Sequence, residues 1–421
     1  MDARVEHDAL GAVEVPAQAL WGAQTERARS NFDVGGPTLR DLPLLVSAYA
    51  QVKEAAAHAN AELGAVTQVV ASAIAEASRA VARGEHADAF PLPVLQGGGG
   101  TSTNMNLNEV LANLAEEALG GTRGSYAIVD PLGHVNRSQS TNDTYPTALA
   151  LAIVHEGRSC ADGLDHLRAA VVRAAREAGA LERLGRTCLQ DAVPLPVAAG
   201  LRATASGLER TVHGFRTSLD RLLAVPLGAT AVGTGVGAPA GFSTLAVAAL
   251  ADVAGVEVVP SVDPFDALQH ADPYLAVASE LGRAWIVVSK LAADLRLLAS
   301  GPRGGLGEVQ LPAVQPGSSI MRGKVNPVIP ELVLQVGYQL SGARTVVDAA
   351  VAAGELELNV MEPAIAANLL PALERAGRTA RLFADRCLIG LEWDATRIAA
   401  NLAGSLAGRV GHEPRAPNGE R

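Results

Sequence analysis

Three polar stretches carry side chains able to bind anions and move protons, and each runs into a segment with helical periodicity. Gln96-Gly97-Gly98-Gly99-Gly100-Thr101-Ser102-Thr103-Asn104 sets hydroxyls and amides on flexible backbone ahead of the periodic stretch Met105 to Ala118. Ser138-Gln139-Ser140-Thr141-Asn142-Asp143 precedes a helix expected to follow Pro146, placed where a first-turn proline is tolerated. Gly317-Ser318-Ser319-Ile320-Met321-Arg322-Gly323-Lys324-Val325-Asn326-Pro327 adds two fixed cations and leads into a helix expected to begin near Val328 to Glu331. The unpaired N–H groups and positive dipole end of a helix start attract anions. One such loop is an ordinary cap; three with the same bias fit a substrate bearing two carboxylates. Lys324 is the strongest single anchor, because a unit charge pair at ~4 Å is worth about 4 kcal/mol at an effective dielectric near 20.

Helices must position these loops. The chain has 421 residues, 48% of them hydrophobic and only 3% aromatic, so Ala, Val and Leu carry the core. That composition suits closely packed helices rather than a stacking surface. Helical periodicity predicts Leu44 to Leu63, Thr67 to Arg83, Thr147 to Glu177, Ala203 to Leu223, Tyr274 to Ala299 and Pro330 to Ala353, with a short extended piece at Ala12 to Val15. The organisation expected is a mixed, mostly helical N-terminal domain over residues 1–138, a central long-helix bundle over 139–395, and a mobile C-terminal remnant over 396–421. Trp285-Ile286-Val287-Val288 and Leu332-Val333-Leu334-Gln335-Val336 are apolar on more than one helical face, which predicts an oligomer built through these helices.

The remaining patterns exclude function classes. A net charge of -10 without a Lys/Arg block offers no footprint for nucleic acid. The acidic start MDARVEHDAL and the lack of an apolar run of ~18 residues predict a soluble, cytoplasmic protein with no membrane partner. Cys160, Cys188 and Cys387 have no CxxC spacing and the histidines no HExxH spacing, so neither a disulfide framework nor a metal is expected. Gly233-Thr234-Gly235-Val236-Gly237 is read as an interhelical loop, because the Ala-Pro-Ala-Gly after it does not open a helix as a dinucleotide site requires.

The third loop, extended through Glu331, resembles the GSSxMPxKxNPxxxE signature of the aspartase/fumarase superfamily. GTSTNMNLNEVLAN from Gly100, HVNRSQSTNDTYPT from His134, GRTCLQDAVP from Gly185, Asn359-Val360-Met361-Glu362-Pro363 and the opening Leu20-Trp21-Gly22-Ala23-Gln24-Thr25 extend the resemblance over nearly the whole chain, and it leans toward the aspartate ammonia-lyases. It implies a mainly α, three-domain fold with a central long-helix bundle, here with the small C-terminal domain largely missing. It also implies a homotetramer whose sites are each shared between three subunits. The activity implied is β-elimination from a succinate-type dicarboxylate, L-aspartate giving fumarate and ammonia through an aci-carboxylate intermediate, with no cofactor. By the same resemblance Ser318 is the general base on a mobile loop, with Lys324 and Thr187 beside it in catalysis. Thr101, Ser140, Thr141, Asn142, Ser319, Met321, Asn326 and Arg27 would contact substrate, and Glu331 closes the signature.

The pattern is broken in places. Cys188 stands where fumarases resemble one another in having His, and Gly99 where they carry Ser; both weigh against hydration of fumarate. Arg322 replaces a proline, removing a backbone restraint and adding charge to the loop. Ala198-Ala199-Gly200 replaces Gly-Gln-Glu. These departures keep other readings in view: a lyase for another N-substituted succinate, a fumarate hydratase, or a non-catalytic structural or regulatory relative.

Overall fold

The structure, a computed structural model, describes residues 2–404 and is mainly α-helical, as the composition and periodicity predict. Contacts divide the chain into two units. The first comprises the chain up to Arg158 together with Arg216–Ser279 and Gly342–Glu374; the second comprises Ser159–Phe215, Glu280–Ser341 and the chain from Arg375 onward.

The first unit opens with the antiparallel hairpin β1 (Ala3–Asp8) and β2 (Gly11–Pro16), followed by α1 (Ala23–Asn31), α2 (Pro43–Glu62), α3 (Gln68–Ala82) and α4 (Thr101–Ala118). Pro43 starts α2 at the one helical position where its missing N–H costs nothing, and Thr67 caps α3 by accepting from the Val70 N–H. Val70, Ile74, Ala77 and Val81 line the buried face of α3 at i, i+3 and i+4 spacing. The helix α4 is buried on every side, yet Asn104, Asn106, Asn108, Glu109, Asn113 and Glu116 all lie within it. Three of these are explained by their partners. Glu109 accepts from the N–H groups of Gly22, Gln24 and Thr25 at the start of α1; Glu116 accepts from those of Ala127, Ile128 and Val129; Asn113 binds the Leu20 carbonyl and the Gly124 N–H. Buried acceptors that satisfy loop N–H groups replace a purely apolar core here.

The long helix α5 (Thr141–Glu177) contributes to both units. The second unit continues with the hairpin β3 (Glu182–Thr187) and β4 (Gln190–Pro196) and most of α6 (Val197–Asp220). The parallel pair β5 (Ala224–Val225) and β6 (Val259–Pro260) flanks α7 (Phe242–Ala254) in the first unit, where α7 packs on α2 and α8 (Pro264–Gln269) follows. Beyond α9 (Asp272–Leu298), β7 (Val309–Gln310), α10 (Val328–Val351) and α11 (Glu362–Phe383), the strand β8 (Glu392–Trp393) pairs with β7. Within 396–421, the segment expected as a mobile remnant, Asn401 binds Glu308 from the final helix, α12 (Ala395–Ala403), and Arg397 binds the carbonyls of Gly305 and Leu306. The rest of that segment, from 405, lies outside the described residues. Among the described residues no helix is long and apolar enough to cross a membrane.

Several helices begin earlier than their periodicity predicts, α6 among them, at Val197 rather than Ala203. α4 starts at Thr101 rather than Met105, and α5 at Thr141 with Pro146 inside it rather than before it. Local hydrogen bonds make the difference: Asp143 accepts from the Ser140 N–H at 3.0 Å and the Ser140 hydroxyl from the Asn142 N–H at 3.2 Å, capping a turn that periodicity alone cannot see.

Candidate active site

The glycine loop and the start of α5 meet in the first unit around a cavity of about 420 Å³. Thr101, Ser140 and Thr141 line it, as do Gln24, Asn104, Met105, Leu132, Asn136, Gln139, Thr230, Ala231 and Val236. Gly100 makes the loop possible: it sits at φ 86, and a Cβ there would lie 2.1 Å from the Tyr145 ring. Only glycine combines that backbone angle with so close an approach.

Beneath the cavity runs a buried polar network. The Asn136 Oδ1 accepts from Lys53 Nζ at 3.0 Å, Asn104 Nδ2 at 3.0 Å and Asn108 Nδ2 at 3.1 Å, and Lys53 also donates to Gln139 Oε1 at 3.0 Å. With its oxygen saturated, Asn136 turns Nδ2 toward the Gln139 carbonyl, and Asn104 Nδ2 also reaches the Thr141 hydroxyl at 3.1 Å. Asp143 is fully buried and accepts from the N–H groups of Ser140, Gly228 and Thr230, stitching the start of α5 to the 228–231 loop. Burial pulls the Lys53 ammonium down to about 7, against the attraction of Asp143. Burial likewise raises Asp143 to about 6 despite its three N–H donors and Lys53. None of Gln24, Lys53, Asn104, Asn136, Gln139 and Asp143 was singled out from the sequence for a role in the site. The polar runs around Asn104 and Gln139 were visible, whereas Lys53 sits in an Ala-rich helix as an ordinary lysine would.

Two residues expected to contact substrate are engaged elsewhere. Asn142 does not line the cavity and donates to the Ala231 carbonyl at 2.7 Å, while Arg27 pairs with Asp8 at 2.6 Å. Gln24, three residues before Arg27, faces the cavity instead. The segment 233–237, read as an interhelical loop, is one, and its Val236 lines the cavity.

The third loop belongs to the second unit, so the cavity walls contain none of it. The Ser318 hydroxyl oxygen accepts from the N–H groups of Met321 at 2.9 Å and Ile320 at 3.2 Å. The Gly317 N–H donates to the Lys324 carbonyl at 2.7 Å, and Asn326 Nδ2 donates to the Gly317 carbonyl at 2.8 Å, closing the loop on itself. A Cβ on Gly317 would lie 2.6 Å from that Lys324 oxygen. Ile320, Met321, Arg322 and Lys324 are exposed, and no hydrogen bond or ion pair engages the Arg322 or Lys324 side chain among the described residues. Ser319 lies in the same turn, and Glu331, in the first turn of α10, pairs with Arg296 at 3.6 Å. Thr187 and Cys188 occupy the exposed tip of the β3–β4 hairpin, where Cys188 and Leu189 have φ 52 and φ 61.

A donor-lined cavity at a helix start is suited to holding a carboxylate. Residues 11–342 match the sequence profile of the lyase family. The aspartate ammonia-lyase of Pseudomonas canavaninivorans is 42% identical over 395 residues, spanning 94% of this chain and 83% of its own length. Among solved structures, the cobalt-bound fumarate lyase:delta crystallin of Brucella melitensis superposes with a TM-score of 0.94 at 41% identity, covering 96% of this chain and 88% of that one. The class II fumarase of Schistosoma mansoni superposes with a TM-score of 0.93 at 37% identity over the same shares. The chain belongs to the lyase family, in its aspartase/fumarase group, and is a carbon–nitrogen lyase similar to aspartate ammonia-lyase.

Proposed function

We propose that this protein converts L-aspartate to fumarate and ammonia, with Ser318 as the base. The observation that carries the reading is the pair of N–H groups, from Ile320 and Met321, directed at the Ser318 oxygen. A serine hydroxyl is a feeble base unless its alkoxide is stabilised, and two prepositioned donors beside the cations Arg322 and Lys324 supply that stabilisation. The Ser318 oxygen takes the β-proton of the substrate; the C–H electron pair moves into the adjacent carboxylate as an aci-carboxylate; its return forms the double bond and expels the amine from the α-carbon. The extra charge on the carboxylate falls on donors such as Thr101, Ser140 and Thr141, which gain most in the transition state. Thr187, Asn326, Ser319 and Met321 complete the set, with Lys324 as anchor. Arg27 and Asn142 act from behind, through Asp8 and the Ala231 carbonyl.

In this reading the enzyme is a cytoplasmic homotetramer whose sites draw loops from different subunits. Ile286 on α9 and Tyr338 on α10 support such an assembly, because they leave 70% and 71% of their surfaces uncovered on long helices. A second substrate class, N-substituted succinates, is favoured by Arg322, an exposed cation without a partner among the described residues in the loop that carries the base. Fumarate formation followed by ultraviolet absorbance with L-aspartate, L-malate and N-substituted aspartates tests the assignment. Saturable turnover of L-aspartate alone, lost in Ser318→Ala, upholds it. Turnover of a substituted aspartate alone transfers the specificity to Arg322, and turnover of malate alone replaces the reading with a hydratase.

A further inference from the structure

A second cavity of about 310 Å³ in the first unit carries a charge pattern that the elimination does not use. Glu362, the first residue of α11, lines it and retains only 8% of its surface. Its carboxyl has no hydrogen-bond or ion-pair partner among the described residues. Of the polar groups around it, the buried Tyr145 hydroxyl feels the carboxyl's charge but makes no hydrogen bond to it, and two others are committed elsewhere. Tyr274 donates its hydroxyl to the Pro146 carbonyl at 3.0 Å, and Asn359 spends its amide on the carbonyls of Ala350 and Val351 and on the Met361 N–H. An unpaired buried carboxyl is costly, and natural cores leave few of them without a partner.

The mouth is acidic. Asp263, Asp266 and Asp272 are exposed on its rim, with Asp266 Oδ1 accepting from the His270 ring at 2.8 Å, and Arg221 is the one guanidinium among the lining residues. The buried apolar residues Ala150, Leu222 and Leu268, with Pro226, also line it. Exposed carboxylates, buried apolar lining and a buried, unbonded carboxyl match a cation with several donors on a small apolar stem.

We infer that this cavity binds a primary ammonium group, seated on the Glu362 carboxylate with Asp263 and Asp272 drawing it in. An ammonium offers three donors to a carboxyl that no side chain or backbone group among the described residues hydrogen-bonds, and it offsets the carboxylate charge that burial penalises. Burial holds Glu362 protonated up to about 8, so binding at neutral pH ionises it and expels its proton to solvent. The inference stands apart from the elimination, since it uses no residue of that site.

The test is titration of the full-length protein with methylammonium chloride at pH 7 in weak buffer, recording heat and released protons, with potassium chloride at equal ionic strength as control. The expected result is saturable heat with methylammonium only, accompanied by release of close to one proton per site, a release that disappears above pH 9 where Glu362 is already ionised. Glu362→Gln keeps the shape and the neutral charge of the protonated acid, and it is expected to weaken binding at least tenfold and abolish proton release; Asp263→Asn weakens binding several-fold and keeps the release. Absence of saturable heat, equal heat with potassium, or unchanged binding in Glu362→Gln would overturn the inference.

Discussion

The floor of the first unit's cavity and the Ser318 loop of the second unit are held in opposite ways. Asn136 presents an oxygen with three donors and an amide nitrogen already committed, and Asp143, itself fully buried, fixes three backbone N–H groups. The Ser318 loop is exposed through Lys324 and is closed by Gly317 and Asn326, with its two cations unpaired among the described residues. Groups that must meet developing charge gain from being fixed beforehand, whereas a loop that brings a base to substrate and later releases product gains from being loosely held. The contrast separates positioning from chemistry, and substitutions can test whether the two are truly separable.

The largest expected effect falls on the loop. Ser318→Ala should lower turnover by roughly 10³ or more while leaving the melting temperature almost unchanged, because its hydroxyl accepts only from N–H groups of its own exposed turn. A large fall in melting temperature would erase the contrast.

On the floor, Lys53→Met removes the donor that orients Asn136 and Gln139. Steady-state kinetics should show kcat/KM reduced by roughly 10–10², the scale of an ångström-sized misplacement of binding groups. Lys53→Arg, which keeps donors and charge, should recover part of the loss. Turnover unchanged in Lys53→Met would mean that the amides need no support from below.

Asp143→Asn should cost about 1–3 kcal/mol of unfolding free energy, since its amide nitrogen would face at least one of the three N–H groups now served by a carboxylate. Urea unfolding measures this directly, and little loss of stability would count against Asp143 as the link between the start of α5 and the 228–231 loop.

The smallest effects are slopes in pH. Asp143 holds its proton to about 6 in the folded protein against an ordinary 3.8, so the folded state binds more protons than the unfolded chain between those values. Stability therefore falls as pH rises through that window, by at most about 1.4 kcal/mol per unit, and Asp143→Asn should lack the slope. Lys53, lowered from 10.5 to about 7, does the reverse: the unfolded chain binds more protons between those values, so stability rises with pH there, and Lys53→Met should flatten the rise. Opposite slopes in wild type would contradict the assignment of both groups to a dry floor.

The sequence by itself determined the helices and the chemistry-bearing loops. Periodicity and composition are local, and the loops at Gly97 to Thr101, Ser138 to Asp143 and Gly317 to Asn326 announce themselves by residue type near a helix start. Only the tertiary structure decided which polar residues serve the site. Asn104 and Asn136 become a support, Arg27 turns to Asp8 rather than the cavity, and Asn142 turns to the 228–231 loop. Lys53 and Glu362 are an ordinary lysine and glutamate in the chain, and their significance comes from burial and from which partners their neighbours have left unused. Those properties depend on contacts as distant in sequence as Lys53 to Gln139, and no local pattern encodes them.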